Sequence, residues 1–448
     1  MNVPSKIAVA VIAAFTVLQL VRPDIPAKPA TAEVQVPPQV HQILERDCYS
    51  CHSDQRRLAW FDEIVPAYWL VRHDVLTARE HLNFSTLAEK PSAVQRATLF
   101  EAVNMIQLGA MPLPQFVKLH PGARITPGDL ATLKAYLAPW ATPAPNAASS
   151  AAPQPVPTPV SLANVPPEFN GVPFDPTFET WKPLSTTDRG DNNTFRFILG
   201  NDIAVKAATS GSISPWPDGT RFAKVTWQRE TRPDGLVHPG KFVQVELMIK
   251  DAALYQKTEG WGWGRWRGLD LKPYGTSAAF VTECTTCHKP LRGNDYVYTE
   301  PITTAKVPGQ EIVNNASSAL PASLPYQPLG WNAITLYVDP ATHTTATLYG
   351  NEAAIQSTNF HADGTVPTHY KGGSVLALVT WAQREDPHWF GARIPSTPQS
   401  VEFVTVATTG SPWYRMFNGP NLSETQLDPD KYAQRLDLIF GLTPARMP

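Results

Sequence analysis

The chain has 448 residues, which is enough for several domains that each bury a core. Hydrophobic residues make up 43% and charged residues 17%, values typical of a globular protein. The formal net charge of −2 argues against a nucleic-acid partner, because such a partner requires a basic surface. The 45 prolines indicate linkers, long loops and short strands.

The N-terminal segment is basic and then apolar. Lys6 precedes an apolar run over residues 7–21. A run of this length suits the hydrophobic region of a secretory signal better than a complete membrane span. Residues 1–32 are therefore interpreted as a signal peptide or a membrane anchor, with Ala30-Thr31-Ala32 as a candidate cleavage site. Either interpretation predicts an exported, periplasmic protein that is soluble or anchored by this segment.

The four cysteines form two identical patterns, Cys48-Tyr-Ser-Cys51-His52 and Cys284-Thr-Thr-Cys287-His288. Cys-x-x-Cys-His is the attachment signature of c-type haem, in which each thiol adds to a vinyl group and the adjacent imidazole ligates the iron. A redox dithiol or half of a zinc site would also use paired cysteines, but neither explains a histidine after both pairs. The sequence therefore predicts two covalently attached haem c groups, with His52 and His288 as iron ligands.

Around the first motif the apolar periodicity is helical. An apolar stripe leads into the motif, a second helix ends at Gly109, and Thr126-Pro127 begins a third. Residues 33–140 are therefore expected to form an all-α, cytochrome c-like haem domain. The Ala-, Pro- and Ser-rich residues 141–167 are expected to form a semi-rigid linker.

The same region resembles a bacterial family of haem-binding domains that is found behind an N-terminal anchor. The matching motifs are Cys48-Tyr-Ser-Cys-His-Ser53, Arg79-Glu-His-Leu-Asn-Phe-Ser85 and Met111-Pro-Leu-Pro114. Met111 is the candidate sixth iron ligand, because cytochrome c-like domains place a Met-Pro loop downstream of the haem motif. A methionine that fills the core is the alternative to ligation. The alternative ligands are His73, His81 and His120.

After residue 167 the apolar residues no longer follow helical spacing but recur at every second position. Residues 222–227, 242–249 and 375–381 are predicted as strands, separated by turns such as Pro217-Asp218-Gly219. The second part of the chain is therefore expected to be mainly antiparallel β-structure.

This β region also repeats itself. Leu199-Gly-Asn-Asp202 recurs as Tyr349-Gly-Asn-Glu352, and Val225-Thr-Trp227 recurs as Val379-Thr-Trp381. The conserved order indicates a tandem duplication in which only the first copy holds a haem motif. The expected segments are a first copy over 168–305, a linker over 306–330, a second copy over 331–410 and a C-terminal extension over 411–448.

Four segments of the first copy carry a further resemblance. They are Phe195-Arg-Phe-Ile-Leu-Gly-Asn-Asp202, Pro215-Trp-Pro-Asp-Gly-Thr220, Phe242-Val-Gln-Val-Glu-Leu-Met-Ile-Lys-Asp251 with Gly260-Trp-Gly262, and Cys284-Thr-Thr-Cys-His288 with Asp295-Tyr-Val297. In these segments the chain resembles the cytochrome P460 family, periplasmic c-type cytochromes whose best-studied members oxidise hydroxylamine. The resemblance implies a porphyrin bonded to a lysine and an iron with an open distal face for a small nitrogenous ligand.

Carried over to this sequence, the resemblance makes His288 the proximal ligand and Lys224 the cross-linking lysine. A lysine on a strand is otherwise usually solvated, but the repeat sets Lys224 against Leu378. The lysine is therefore absent where the haem motif is absent, which favours a role with the haem.

Two further residues are candidates for catalysis. Glu246 matches the distal carboxylate of the family and would accept protons; a solvent-facing glutamate is the alternative. Strand alternation puts Glu246 on one face with Gln244 and Met248. Arg196 is the candidate distal cation, and Ala346 replaces it in the second copy.

Together these features predict a dihaem oxidoreductase. Hydroxylamine or a related small nitrogen species would be oxidised at the second haem, and electrons would pass through the first haem to a periplasmic acceptor. The alternatives are a nitric oxide-binding protein similar to the cytochromes c′-beta, and a plain dihaem electron carrier. The haemless copy is expected to fold back on the first as an intrachain pseudo-dimer.

Overall fold

The structure is a computed structural model that describes residues 3–141, 161–277, 279–303, 315–358 and 370–448. The chain divides into two compact units, Met1–Pro139 and Trp140–Pro448. Most of the linker predicted over residues 141–167, and the first part of the one predicted over 306–330, lie outside the described residues.

The first unit is helical, and the three predicted helices are confirmed. Thr126 Oγ1 accepts a hydrogen bond from the backbone N–H of Asp129 at 3.1 Å, and Gly109 takes a φ of +70° just after the second predicted helix. Within the described residues, no helix combines the length and the apolar character needed to cross a membrane. The helices are α1 (Val3–Leu18), α2 (Pro38–Asp47), α3 (Tyr49–His52), α4 (Ala67–His81), α5 (Ser92–Gln107), α6 (Pro114–Leu119) and α7 (Pro127–Ala141).

The segment that follows α1 belongs to the fold of the helical unit. Gln19 Nε2 donates a hydrogen bond to the carbonyl oxygen of Val65 at 3.1 Å. Ile25 and Val34 are 1% and 5% exposed, respectively. Residues 19–34 therefore contribute buried contacts to the unit that contains the first haem motif.

The second unit is a β-barrel with flanking helices. The strands are β1 (Lys182–Arg189), β2 (Thr194–Gly200), β3 (Arg221–Thr231), β4 (Val237–Lys250), β5 (Trp261–Arg267), β6 (Lys272–Pro273), β7 (Asn332–Asp339), β8 (Thr344–Gly350), β9 (Val375–Asp386), β10 (Trp389–Thr405), β11 (Trp413–Asn418) and β12 (Ser423–Thr425). In the described chain, eight strands pair in the order β1-β2-β3-β4-β7-β8-β9-β10, each pair is antiparallel, and β10 pairs with β1 to close the ring. The helices are α8 (Asp202–Ser210), α9 (Ala279–His288), α10 (Glu352–Gln356) and α11 (Pro429–Gly441).

Strands β1–β6, called the first half, and β7–β12, called the second half, share one pairing scheme. β5 and β6 extend the sheet from β4, and β11 and β12 extend it from β10. Lys182 lies opposite Gly200 in the first half, as Asn332 lies opposite Gly350 in the second, and a bulge follows both pairs. Because β11 and β12 lie within residues 413–425, this likeness continues into the segment predicted as a C-terminal extension.

The strands of the first half present two different faces. Val245 and Leu247 of β4 pack into an apolar cluster with Val225 and Trp227 of β3. Met248 packs into a separate cluster on the opposite face. The alternation predicted for β4 is therefore confirmed, and the face that carries Met248 is called the site face below.

Candidate haem sites

The second haem motif lies over the site face of the first half. Cys284 on α9 packs against the cluster that contains Met248 and Trp263. The ring of His288, at the end of the same helix, is centred 4.3 Å from the ring of Trp263. The pairing of β4 with β5 places Met248 directly opposite Trp263, so neighbouring strands bring the motif and the predicted catalytic residues to one surface.

The imidazole of His288 is in the form that ligates iron. Its Nδ1 donates a hydrogen bond to the carbonyl oxygen of Tyr296 at 2.7 Å. Burial lowers the pKa of His288 to about 4, so the ring is neutral at physiological pH. With the proton on Nδ1, the lone pair lies on Nε2, a ring atom that can bind haem iron.

Burial favours the protonated thiol at three of the four motif cysteines. Burial raises the pKa of Cys284 and of Cys48 to about 12, and it also raises the pKa of Cys51. A redox dithiol acts as a thiolate, the form that burial disfavours at these positions. Together with the neutral imidazoles, the four free cysteines form two donor sets that fit covalently attached haem.

Three charged residues meet on the site face. Lys224, Glu246 and Arg265 are consecutive partners across β3, β4 and β5. Lys224 Nζ lies 2.6 Å from Glu246 Oε2, and Arg265 Nε donates to Glu246 Oε1 at 2.9 Å. Arg265 Nη1 also donates to Oε1 of Glu283, the residue before Cys284, at 2.8 Å. The cluster therefore connects the predicted catalytic residues to the helix that carries the haem motif.

Burial and neighbouring charges shift the protonation of this cluster. Burial lowers the pKa of Lys224 to about 8, although Glu246 acts in the opposite direction. Burial works against ionisation of Glu246, but the charges of Lys224 and Arg265 outweigh it and hold the pKa of that carboxyl well below its usual range. Glu246 is therefore ionised, and it is a weak proton acceptor while both cations remain beside it.

Arg196 belongs to the same electrostatic environment. It lies on β2, and burial lowers its pKa to about 9. Its charge lowers the pKa values of both Lys224 and Glu246. Among the residues that the structure describes, the buried Nε of Arg196 has no hydrogen-bond partner. The three predicted catalytic residues are thus brought together, and Arg196 has a donor available for a bound group.

Arg265 and the aromatic residues beside the motif were not predicted from the sequence. Arg265 is two residues from Trp263 on β5, so strand alternation puts both side chains on the site face. That alternation was visible in the sequence, but the partner of Arg265 depends on the pairing of β5 with β4. Tyr296 and Tyr298 lie in the segment after the motif, where their contacts with His288 and Cys287 depend on the tertiary fold.

The first haem motif repeats the same local chemistry in the helical unit. His52 ends α3, and its Nδ1 donates a hydrogen bond to the carbonyl oxygen of Leu82 at 2.9 Å. Burial lowers the pKa of His52, so this imidazole is also favoured in its neutral form. Leu82 lies within the predicted motif over residues 79–85, which gives that segment a direct contact with the axial histidine.

The candidates for the sixth ligand of the first haem differ in their exposure and in whether their ligating atoms already form hydrogen bonds. Both ring nitrogens of His120 are engaged, Nδ1 with the carbonyl oxygen of Phe116 at 3.1 Å and Nε2 with Asp62 Oδ2 at 3.0 Å. His120 is therefore poorly suited to ligate iron. His73 and His81 are exposed, whereas Met111 is half-buried after α5. Met111 stays the predicted ligand.

The geometry at both motifs defines a protein with two sites for c-type haem. Comparison with family models agrees: residues 8–139 match the haem-binding domain family, and residues 176–299 match the cytochrome P460 family. The chain therefore contains a haem-binding domain followed by a cytochrome P460 domain, which confirms the two predicted resemblances. The P460 match ends before β7, so the second half lies outside it. No curated protein sequence matches the chain at a significant level.

Proposed function

We propose that this protein oxidises hydroxylamine or a related small nitrogen compound at the Cys284/Cys287/His288 site. The cytochrome P460 family consists of haem proteins linked to hydroxylamine oxidation. The observation that carries the proposal is the Lys224–Glu246–Arg265 cluster on the site face beneath α9. A plain electron carrier needs no such set of titratable groups beside its haem motif.

Haem bound through Cys284, Cys287 and His288 would supply a redox-active iron beside this cluster. Lys224 is suited to be a third point of attachment. With its pKa lowered to about 8, a substantial fraction of its amine is neutral and nucleophilic at physiological pH. The side chain is 31% exposed, so its amine is open to a bound group.

Glu246 would accept protons released by the oxidation. In an oxidative cross-link, an N–H bond of Lys224 and a porphyrin C–H bond would be replaced by an N–C bond, and two protons would be released while two electrons pass to an oxidant such as a peroxide. This bond would remove the positive charge 2.6 Å from the carboxylate. The pKa of Glu246 would then rise toward its ordinary range, which makes the carboxylate a better proton acceptor. Arg265 would keep the carboxylate oriented through its Nε hydrogen bond.

The second half would be a haemless P460-like repeat that forms an intrachain pseudo-dimer with the first. Its equivalent register supports this, as do Asn201 and Asn351, whose side chains each accept a hydrogen bond from the backbone N–H three residues later at 3.0 Å. The positions of Lys224 and Arg196 are held by Leu378 and Ala346, respectively. In this proposal the second half retains the strand framework of the first half but has lost the residues that serve the haem.

Electrons would leave through the Cys48/Cys51/His52 haem to a periplasmic acceptor. The proposal includes export and a retained N-terminal anchor. Burial of Ile25 and Val34 supports retention, because cleavage after Ala32 would remove Ile25 from the core of the helical unit. A midpoint potential above that of the second haem would be expected for this relay.

The test combines mass spectrometry with one substitution. In the wild type, a haem-linked peptide pair should join Lys224 to Cys284 and Cys287. Lys224→Leu should keep two haems per chain and lose hydroxylamine oxidation. Lys241→Leu, which changes an exposed lysine of β4, is the matched control and should retain activity. Full activity of Lys224→Leu would refute the proposal. Nitric oxide binding by a wild type without turnover would favour the gas-binding alternative.

The number of haems is tested separately. Replacing Cys48 and Cys51 with alanine should leave one haem of two after acid–acetone extraction, because thioether-bound haem resists that treatment. Loss of either haem from the extracted wild type would show that the attachment is not covalent.

A further inference from the structure

The segment after the second haem motif holds the axial histidine in place. Tyr296 supplies the carbonyl oxygen that accepts the Nδ1 hydrogen bond of His288. Two residues later, the Tyr298 hydroxyl donates to the carbonyl oxygen of Cys287 at 2.7 Å, and its ring lies edge-on to His288 at 5.0 Å. The orientation of the imidazole therefore depends on the position of residues 296–298.

The second half of the barrel in turn holds this segment. His388, in the turn between β9 and β10, donates from Nδ1 to the carbonyl oxygen of Tyr298 at 2.8 Å. His388 is only 6% exposed, and its backbone N–H donates to Asp386 Oδ1 at 2.8 Å. Arg384 of β9 forms an ion pair with the buried Glu300. Two neighbouring sites in the second half thus fix both ends of residues 298–300.

We propose that His388 is a positioning residue for the iron ligand His288, so that the haemless half completes the haem site of the other half. The inference rests on His288 being an axial ligand, as in the proposed function, and does not depend on the substrate.

The physical effect passes through the Nδ1 hydrogen bond. A partner that accepts from the distant nitrogen of an axial histidine raises the basicity of the ligating nitrogen and stabilises the oxidised metal. Loss of the His388 hydrogen bond would leave the backbone at Tyr298 free to move. Because Tyr296 is only two residues away, its carbonyl oxygen would shift as well, and its hydrogen bond with Nδ1 of His288 would weaken. The iron–histidine bond would weaken, and the midpoint potential of the second haem would rise.

The experiment uses the full-length holoprotein with His388→Ala and His388→Asn. The asparagine amide can donate in place of Nδ1, so His388→Asn should retain wild-type behaviour. For His388→Ala we expect a lower iron–histidine stretching frequency in the resonance Raman spectrum and a higher midpoint potential for the second haem. The first haem is an internal control, because His52 is held by Leu82. His238→Ala removes another buried histidine, which contacts Tyr337, and should leave both signals unchanged.

A His388→Ala protein that loses thermal stability while both signals stay at wild-type values would overturn the proposal, since His388 would then be only structural. If His388→Ala does not fold, His388→Phe keeps an aromatic ring at the buried position but removes the Nδ1 donor, and unchanged signals there would also overturn the proposal. Mass spectrometry first establishes that each variant carries both haems. Hydroxylamine turnover is then measured in a separate assay, so that a failure of the proposed substrate can be distinguished from a failure of the proposed role of His388. A protein that shows the spectroscopic shifts without turnover supports the role of His388 and contradicts only the proposed substrate.

Discussion

The two halves of the barrel keep a carboxylate at the same position but give it different partners. Glu246 lies opposite Lys224 on the neighbouring strand, and Glu402 lies opposite Leu378. Glu246 binds Lys224 and Arg265, both of which belong to the strands of its own sheet. Glu402 instead binds Arg435 of α11. The same strand framework therefore supports either a cluster beside a haem motif or an ion pair with a covering helix.

The helix that covers each face explains this difference. α9 brings Cys284 and His288 to the site face of the first half. In the second half α11 occupies the corresponding face, and Ile439 packs in one cluster with Leu378. The apolar face of α11 can pack against leucine, whereas it could not cover a lysine without desolvating its charge. The helix that covers each half therefore determines whether a charged or an apolar side chain can lie on the strand beneath it.

The most severe test of the comparison removes the second half altogether. In a chain that ends near Gly309, β1 would lose its pairing with β10, and β4 would lose its pairing with β7. Exposed strand edges and apolar surface should make the product aggregate or dimerise. Light scattering against the full-length protein would measure this. A stable, fully active monomer would show that the second half is dispensable.

Matched substitutions of the two carboxylates test their separate roles. Glu246→Gln should slow hydroxylamine turnover by roughly 10- to 1000-fold, the range for loss of a general base, without weakening ligand binding. Glu402→Gln should leave turnover unchanged, because this carboxylate binds Arg435 and lies on the face covered by α11. Steady-state rates and ligand titrations would distinguish them. An unchanged rate in Glu246→Gln would remove Glu246 from the catalytic residues.

The internal ion pair of the second half should matter for stability alone. Arg435→Met should lower the free energy of unfolding by about 3 kcal/mol, because it leaves the buried carboxylate of Glu402 with fewer partners. The double variant Glu402→Leu/Arg435→Met should recover most of that loss, since it buries no charge. Denaturant titration of the three proteins would show whether the pair behaves in this way. Equal losses in the single and double variants would contradict the assignment.

The smallest expected effect is on acid stability. In the haem-free chain, where Lys224 keeps its charge, the folded pKa of Glu246 is depressed, so the unfolded chain takes up a proton at higher pH than the folded one. Its contribution is present above the ordinary glutamate pKa and is lost as pH falls, on the order of 2 kcal/mol. Glu246→Gln should therefore flatten the pH dependence of unfolding of the haem-free protein below about pH 5. An identical slope in the variant would show that the cluster does not depress this pKa.

The sequence by itself determined the features that depend on neighbouring residues. Both haem motifs, the helix that begins at Thr126-Pro127 and the alternation along β4 follow from spacing over a few positions. The repeat also set Lys224 against Leu378, and the strand registers agree with that pairing of positions. Such features could be predicted because local geometry places residues two or three apart on one face.

Only the tertiary structure decided which distant residues complete each site. Arg265 reaches Glu246 through the pairing of β5 with β4, and Arg435 reaches Glu402 because α11 packs on the second half. His388 reaches the segment after the first half's haem motif, although it is 90 positions from Tyr298 in the sequence. No local spacing encodes these contacts, because they depend on which strand edges and apolar faces remain to be covered once the barrel closes.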